Sequence, residues 1–447
     1  MTLSPGTSGV KRRREPVGMT NPEEHTRHSH TAEPSRDARI AWANDFPENF
    51  EVLRKIGEGS FGTVWTARRK GPGQGGEHGG GGGLMALKRI NPTCSPSRIL
   101  NEFEQMRKLG GVHNVVRVEG VIRTPGGAFA LVMPFFEHEE FREYMKAFTL
   151  SGVAAYMRSL LTALAYVHAE GVIHRDIKPR NFMYNAKSRE GLLIDFGLAE
   201  PAQKWKDRAE ALANHRDRRK SKAQSKMELP GTSRTAAQIK QPNRVNSGGR
   251  SARDFKSPLR QTTAPEEKSG KNPARIREDG VEASIVNCKS DGDDRLRLLR
   301  KVERGGTTGF RAPEILWHSR DQEPGVDVWA AGVILLCLLS RRYPLFPSAD
   351  NDEMALVQIS ALLGADEIRS AARESGRCEI TEFPSTAIRR GSVEGLCAPL
   401  LGGVPCDREE GIARANALCL VKGMLKVNPT HRLSAKEALM HPFVAEA

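Results

Sequence analysis

Five short motifs, strung in one order between Gly57 and Glu314, constrain this chain more than any other feature of its sequence. The first is Ile56-Gly57-Glu58-Gly59-Ser60-Phe61-Gly62-Thr63-Val64. Its glycines let the backbone come close to phosphate oxygens and aim N–H groups at them. In a Rossmann turn a helix follows such a run, whereas Thr63 to Ala67 alternates like a strand. On its own the run is weak evidence, and a plain glycine-rich hairpin is its alternative reading. Met85-Ala86-Leu87-Lys88 then places a lysine late in a strand, a residue type that is more often merely solvated. Next comes His174-Arg175-Asp176-Ile177-Lys178-Pro179-Arg180-Asn181, followed by Asp195-Phe196-Gly197, with 19 positions from Asp176 to Asp195. Ala312-Pro313-Glu314 closes the series. Any one of these arises by chance; all five in this order do not.

The 447 residues suffice for one large two-lobed core or two to three smaller ones. Phe50 to Ile56, Thr63 to Ala67, Leu84 to Ile90, Ala128 to Met133 and Leu192 to Ile194 read as strands. Gly71 to Gly83 (GPGQGGEHGGGGG) is a flexible tether by composition. Ser97 to Leu109 carries apolar residues at 99, 103, 106 and 109, the spacing of a helix with one packed face. Thr149 to Ala169 is long and periodic enough for a central helix, and the chain beyond 310 is mostly helical. The longest apolar run, Val328 to Leu339, is 12 residues, too short to span a bilayer, and reads as a buried helix. A β-rich front and a helical back predict two unlike lobes.

Charge is unevenly placed. The net +14 comes mostly from residues 201–300, which hold 24 basic and 13 acidic side chains, whereas residues 1–49 balance 7 against 7. With few apolar residues and frequent Gly, Pro, Ser and Gln, the 201–305 segment is predicted to be mostly disordered. Its most basic stretch, His215 to Lys222, and a second cluster, Lys11 to Arg14, suit a nuclear-import signal, an electrostatic contact with nucleic acid, or a solvated linker equally well. No aromatic residues interleave with them as stacking platforms, so a dedicated nucleic-acid reader is disfavoured. Seven cysteines without a C-x-x-C pair argue against a disulfide framework or a structural zinc site and for a reducing compartment. The N-terminus has no apolar stretch after its charges, so no secretory signal is expected.

The five motifs resemble the signature set of the protein kinases, over roughly Phe50 to Phe443. The resemblance implies an α+β bilobal protein kinase fold with a β-rich N-lobe, a helical C-lobe and a long disordered insert in the activation segment. The domain would run 50–443, behind a disordered tail at 1–49 and around the basic insert at 201–305. It also implies ATP and Mg²⁺ as cofactors. Ile56 to Val64 would cover the phosphates, and Lys88 would hold the α- and β-phosphates, steadied by a carboxylate on the following helix. Glu102 is preferred to Glu104 for this, because one turn later it is followed by Met106 rather than Lys108. Asp195 and Asn181 would bind metal, Asp176 would receive the substrate hydroxyl proton, and Lys178, in the serine/threonine pattern, would steady the γ-phosphate. Val64, Ala86 and Met183 would sandwich adenine, with Met133 at the back of that pocket. Asp327, with Trp329 and Gly332, resembles the helix that anchors the catalytic loop, and Arg432 resembles the partner of Glu314.

Asp195 to Glu314 spans 119 positions, where most kinases have a few tens. With Pro96-Ser97-Arg98-Ile99, Met133 to Glu139 and Gly306 to Glu314, this makes the chain similar to the cell-division-cycle-seven type of kinase. Thr308 departs from that pattern, in which proline is usual. The resemblance implies a nuclear serine/threonine kinase that depends on a regulatory subunit, acts on the minichromosome-maintenance helicase, associates with chromatin and has no membrane role. The runner-up is another serine/threonine kinase with a long activation-segment insert, and a pseudokinase scaffold is less favoured still, since Lys88, Glu102, Asp176, Asn181 and Asp195 are all present. Arg304 and Arg311 flank Thr307, near where the residue after the target hydroxyl would lie. Arginine forks there predict Ser/Thr followed by Asp, Glu or phosphoserine, unless Arg311 pairs internally.

Overall fold

The computed structural model describes residues 49–445 except 60–61, 71–82, 92–93, 125–126, 205–206, 208–285, 289–304, 320–321, 348–350, 376–377, 381–390 and 404–406. The N-terminal tail, the glycine tether, both basic clusters, Ser60, Phe61, Arg304 and nearly all of the insert predicted to be disordered therefore lie outside the described residues. The described chain forms two compact units, one drawn from Met1–Thr93 and Glu119–Phe135, the other from Cys94–Val118 and Phe136–Ala447.

The first unit is an antiparallel sheet of five strands: β1 (Phe50–Gly59), β2 (Gly62–Arg69), β3 (Leu84–Ile90), β4 (Gly120–Arg123) and β5 (Phe129–Pro134), ordered β1-β2-β3-β5-β4. Successive residues of a strand point to opposite faces. On one face Phe50, Trp65, Ala67, Met85, Leu87, Ala130 and Val132 pack into a buried cluster. The other face carries two rows across three strands, Val64–Lys88–Leu131 and Thr66–Ala86–Met133. Two expected strands are longer than their sequence signal, because β1 and β2 pair up to Gly59 opposite Gly62 and so carry the glycines inside the hairpin.

The second unit is mostly helical. It begins with α1 (Pro96–Leu109), α2 (Phe141–Ala147) and α3 (Leu150–Ala169), then small strands β6 (Val172–Ile173), β7 (Phe182–Asn185), β8 (Glu190–Leu193) and β9 (Glu200–Pro201). A short strand β10 (Val286–Cys288), α4 (Pro313–Leu316), α5 (Gly325–Ser340), α6 (Asp352–Leu363), α7 (Ala365–Glu374) and strand β11 (Cys378–Ile380) follow. The unit ends with α8 (Val393–Leu401), α9 (Arg408–Met424), α10 (Ala435–Leu439) and α11 (Pro442–Ala445). Thr149 caps α3 by accepting the Gly152 N–H, and Ser434 with Glu437 forms a capping box on α10. The run predicted as a buried helix is α5, and all its residues except Gly325 are buried. Helix α3 has the length and composition to cross a membrane, yet 61% of that stretch is buried within the unit, as befits a core helix.

One expectation needs correction. The strand predicted at Leu192 to Ile194 is Glu190–Leu193, paired with Phe182–Asn185 in a hairpin whose turn residues extend it backwards. Within the segment expected to be mostly disordered, Val286–Cys288 is a strand paired antiparallel with Cys378–Ile380, a partner 90 or more positions away that no local signal announces.

Candidate active site

The loop after β6 is fixed from below by one buried carboxylate. Asp327, in the first turn of α5, accepts the backbone N–H of His174 at 2.7 Å and that of Arg175 at 2.7 Å. His168 bonds the same carboxylate at 2.9 Å. Burial pushes the Asp327 carboxyl upward, but the His168 bond, the neighbouring imidazoles and the His174 N–H outweigh it and hold the group below the usual carboxylate range. The His174 ring donates from Nε2 to the Ile194 carbonyl (3.1 Å) and accepts the Asp176 N–H at Nδ1 (3.3 Å), a pattern that settles its tautomer. Arg175 and Asp195 both take left-handed backbone (φ 68° and 67°), which costs non-glycine residues on the order of 1–3 kcal/mol and is sustained by these surrounding bonds.

The polar groups of the loop converge on Asp176, which is buried. Its Oδ2 accepts from Lys178 Nζ at 2.7 Å and from Asn181 Nδ2 at 3.0 Å. Its Oδ1 accepts the hydroxyl proton of Thr307 at 2.8 Å, and the same hydroxyl accepts from Lys178 at 2.8 Å. An alcohol is thus held between a carboxylate and an ammonium, the arrangement that removes a proton from a nucleophilic oxygen.

Asn181 also donates to the Asp176 carbonyl (2.8 Å), and its own carbonyl accepts the Ile194 N–H (2.9 Å), which ties it to the residue before Asp195. On α1, Glu102 is buried and Glu104 exposed, as the Met106 argument predicted. A Cβ built on Gly197 would lie 3.3 Å from Asp195 Oδ1, 3.4 Å from Glu102 Oε2 and 3.7 Å from Arg98 Nε, so two carboxylates and a guanidinium close on one glycine. Arg98 donates to the Gly197 carbonyl (3.0 Å) and Asn101 to the Ala199 carbonyl (2.9 Å), which fastens α1 to the Asp195-Phe196-Gly197 segment. Among the described residues no three His, Cys, Asp or Glu side chains form a metal cage. An amide oxygen and a carboxylate suit a hard divalent cation that takes its remaining ligands from water and phosphate.

In the sheet unit Val64, Ala86, Lys88 and Met133 lie on the face opposite the apolar cluster, with Ala86 opposite Met133 and Lys88 opposite Val64. Met183 stands on β7 of the helical unit. Within the glycine run the hairpin pairs Gly57 with Val64, Glu58 with Thr63 and Gly59 with Gly62, and Ile56 is exposed. A Cβ on Gly62 would strike the Arg89 carbonyl oxygen at 2.1 Å, so strand pairing itself demands that glycine. At Gly59 a Cβ would meet nothing within 4 Å, and at Gly57 only Val64 at 3.8 Å. The fold does not require glycine at either place, which fits a backbone kept bare for an outside ligand such as phosphate.

Arg311 does not behave as predicted. Its Nη1 donates to Asp352 at 2.8 Å, while Nε and Nη2 both donate to the Gly306 carbonyl, at 3.1 and 3.0 Å. The guanidinium is spent on holding α6 to its own loop, because a half-buried charge takes the nearest carboxylate. Thr307 faces Asp176 rather than a bound peptide. Sequence reasoning gave no such role to His168, Arg98, Asn101 or Asp352, which bond Asp327, Gly197, Ala199 and Arg311, each more than 40 positions away. The anticipated pair of Glu314 and Arg432 is present: Nη1 and Nη2 reach the two carboxylate oxygens at 2.7 and 2.9 Å, fully buried, with the guanidinium 5.2 Å from the Trp329 ring centroid.

Comparison with known proteins agrees with this geometry. The protein kinase domain family matches residues 50–216 and 286–444, and the chain belongs to that family. As a protein kinase domain it uses ATP and a divalent metal. It is similar to the probable cell division control protein 7 homolog 2 of Encephalitozoon cuniculi, 30% identical over 394 residues that cover 88% of this chain and 91% of that protein. It is 28% identical to the cell cycle serine/threonine-protein kinase hsk1 of Schizosaccharomyces pombe (90% of this chain, 73% of the relative). The human cell division cycle 7-related protein kinase is also 28% identical (79% and 71%). Within its family the chain is a serine/threonine kinase of the cell division cycle 7 type, related to the cell cycle.

Proposed function

We propose that this kinase moves the γ-phosphate of Mg²⁺-ATP to serine or threonine in acidic stretches of the replicative minichromosome-maintenance helicase, in the nucleus, and so triggers DNA replication. The observation that carries the reaction is the Thr307 hydroxyl, seated on Asp176 and Lys178 at 2.8 Å each. A hydroxyl hydrogen-bonded to that carboxylate supports a proton-accepting role for Asp176. Asp176 takes the proton of the substrate hydroxyl while that oxygen bonds to the γ-phosphorus and the bond to the ADP oxygen breaks. Lys178 neutralises charge on the transferred group, and Lys88 holds the α- and β-phosphates. Asp195 and Asn181 hold Mg²⁺, which when bound neutralises the phosphate oxygens. Ile56 to Val64 covers the phosphates, and Val64, Ala86 and Met133 line the adenine.

Support for the replication role is the resemblance in sequence together with relatives named for cell division and the cell cycle. A regulatory subunit and chromatin contact through the basic insert belong to the same reading. Preference for an acidic residue after the target falls to Arg304 more than to Arg311, which is paired to Asp352. The test is transfer of labelled phosphate to an acidic helicase-tail peptide, with and without a co-purified partner, beside Asp176→Ala. Transfer that needs the partner and vanishes in Asp176→Ala is expected. Equal rates on a peptide with Lys after the target end the acidic preference, and no transfer under any condition ends the reading.

A further inference from the structure

Glu200 and Gly305 stand at the two ends of the long insert, and both press on one side chain, Arg175. Glu200 is set by the backbone, since Ile173 on β6 pairs directly with it on β9. Its Oε2 lies 3.1 Å from Arg175 Nη1, with the arginine side chain 1% exposed and the glutamate 13%. Lys204 donates to the other oxygen, Oε1, at 2.7 Å. From the far end of the insert, Gly305 comes so near that a Cβ there would lie 2.7 Å from Arg175 Nη2 and 2.8 Å from its Cζ. A Cβ on Gly306 would lie 2.9 Å from the Arg175 carbonyl oxygen. Thr307, the next residue, bonds Asp176 and Lys178.

In kinases an activation-segment phosphate commonly supplies the anion that orders this region by pairing with arginine. Arg175 is turned away from one: its guanidinium is out of solvent, faces a carboxylate and lies against Gly305, where a Cβ would meet it at 2.7 Å. A buried cation requires a partner, and a residue of the fold provides it. We propose that Glu200 is the built-in counter-charge of Arg175, a positioning residue that seats Gly305-Gly306-Thr307 on Asp176 without any phosphate on residues 201–304. This rests on the kinase reading above, in which Asp176 receives the substrate proton.

The test uses the full chain with its co-purified partner, stripped by phosphatase until its intact mass shows no phosphate. The stripped enzyme is expected to keep kcat on a serine peptide within about twofold. Glu200→Gln is expected to lose kcat by at least about tenfold, the scale of one buried ion-pair contact, with KM for ATP little changed and Glu200→Asp partly restoring the rate. A loss above fivefold on dephosphorylation, or a loss below fivefold in Glu200→Gln, overturns the inference. Should Glu200→Gln not fold, the phosphatase arm decides alone. A wild-type chain that transfers nothing sinks the kinase reading and this inference with it, whereas an active chain whose rate needs phosphate sinks only this inference.

Discussion

Around Asp176 the polar groups are bonded to one another before any ligand arrives, whereas a side chain built at Gly59 would touch nothing within 4 Å. The loop in the helical unit is positioned by bonded partners: Asp327 below it, His174 within it and Thr307 across it. The glycine hairpin in the sheet unit is positioned by strand pairing alone, up to the Gly59–Gly62 register, and its outer glycines are left bare. The contrast separates two ways of serving one reaction. Charge placement needs rigidity, because a carboxylate displaced by an ångström no longer meets its proton. Phosphate cradling needs exposed N–H groups, which any packed neighbour would take away.

The sharpest break of that contrast is at Asp176. Asp176→Asn should lower phosphoryl transfer by roughly 10²–10⁴-fold, as expected for loss of a general base, while thermal stability stays near wild type. A stable variant with undiminished transfer of labelled phosphate would remove Asp176 from the chemistry. Next comes the scaffold. Arg432→Ala strands the buried Glu314 carboxylate, and breaking such a pair costs about 3–5 kcal/mol, read as a lower melting temperature with no specific effect on KM. The Asp327 anchor adds a pH signature. Its folded pKa is depressed, so its contribution is fully present above the ordinary carboxylate value of about 4 and is lost as pH falls below that. The melting gap between wild type and Asp327→Asn should hold steady from neutral pH down to the ordinary carboxylate value and close only in stronger acid. A gap that closes near neutrality would assign the effect to another group.

Much of the site was legible because a motif is local. Asp176, Lys178 and Asn181 lie within six positions, and the rise and turn of the chain bring their side chains together with little help from elsewhere. Glu102 was distinguishable from Glu104 because burial on a helix follows its period, and Met106 marks the packed face. What stayed hidden depends on partners distant in sequence. Asp352 captures Arg311 from 41 positions away, and Val286–Cys288 finds its partner strand some 90 positions on, while neither pairing leaves a periodic trace. The fold was read in the same way: long amphipathic or wholly apolar runs such as Leu150–Ala169 and Gly325–Ser340 announce themselves, and two- or three-residue strands do not.

The smallest predicted effect tests the bare half of the comparison. Gly59→Ala adds one methyl group into open space on a backbone that is not left-handed, so the fold has no reason to object. A ligand whose phosphate oxygens come up to that backbone does. The variant should melt within about a degree of wild type, since surface changes away from packed or strained positions usually stay within ±0.5 kcal/mol. KM for ATP should rise a few-fold with kcat less affected, the mark of weakened ground-state binding. Gly62→Ala supplies the contrast, because its methyl would meet the Arg89 carbonyl at 2.1 Å and must part β2 from β3. It should lower the melting temperature as well as ATP affinity. If the two variants behave alike, either both glycines are structural or neither is, and the distinction between a hairpin shaped by its own strands and a hairpin kept clear for phosphate is lost.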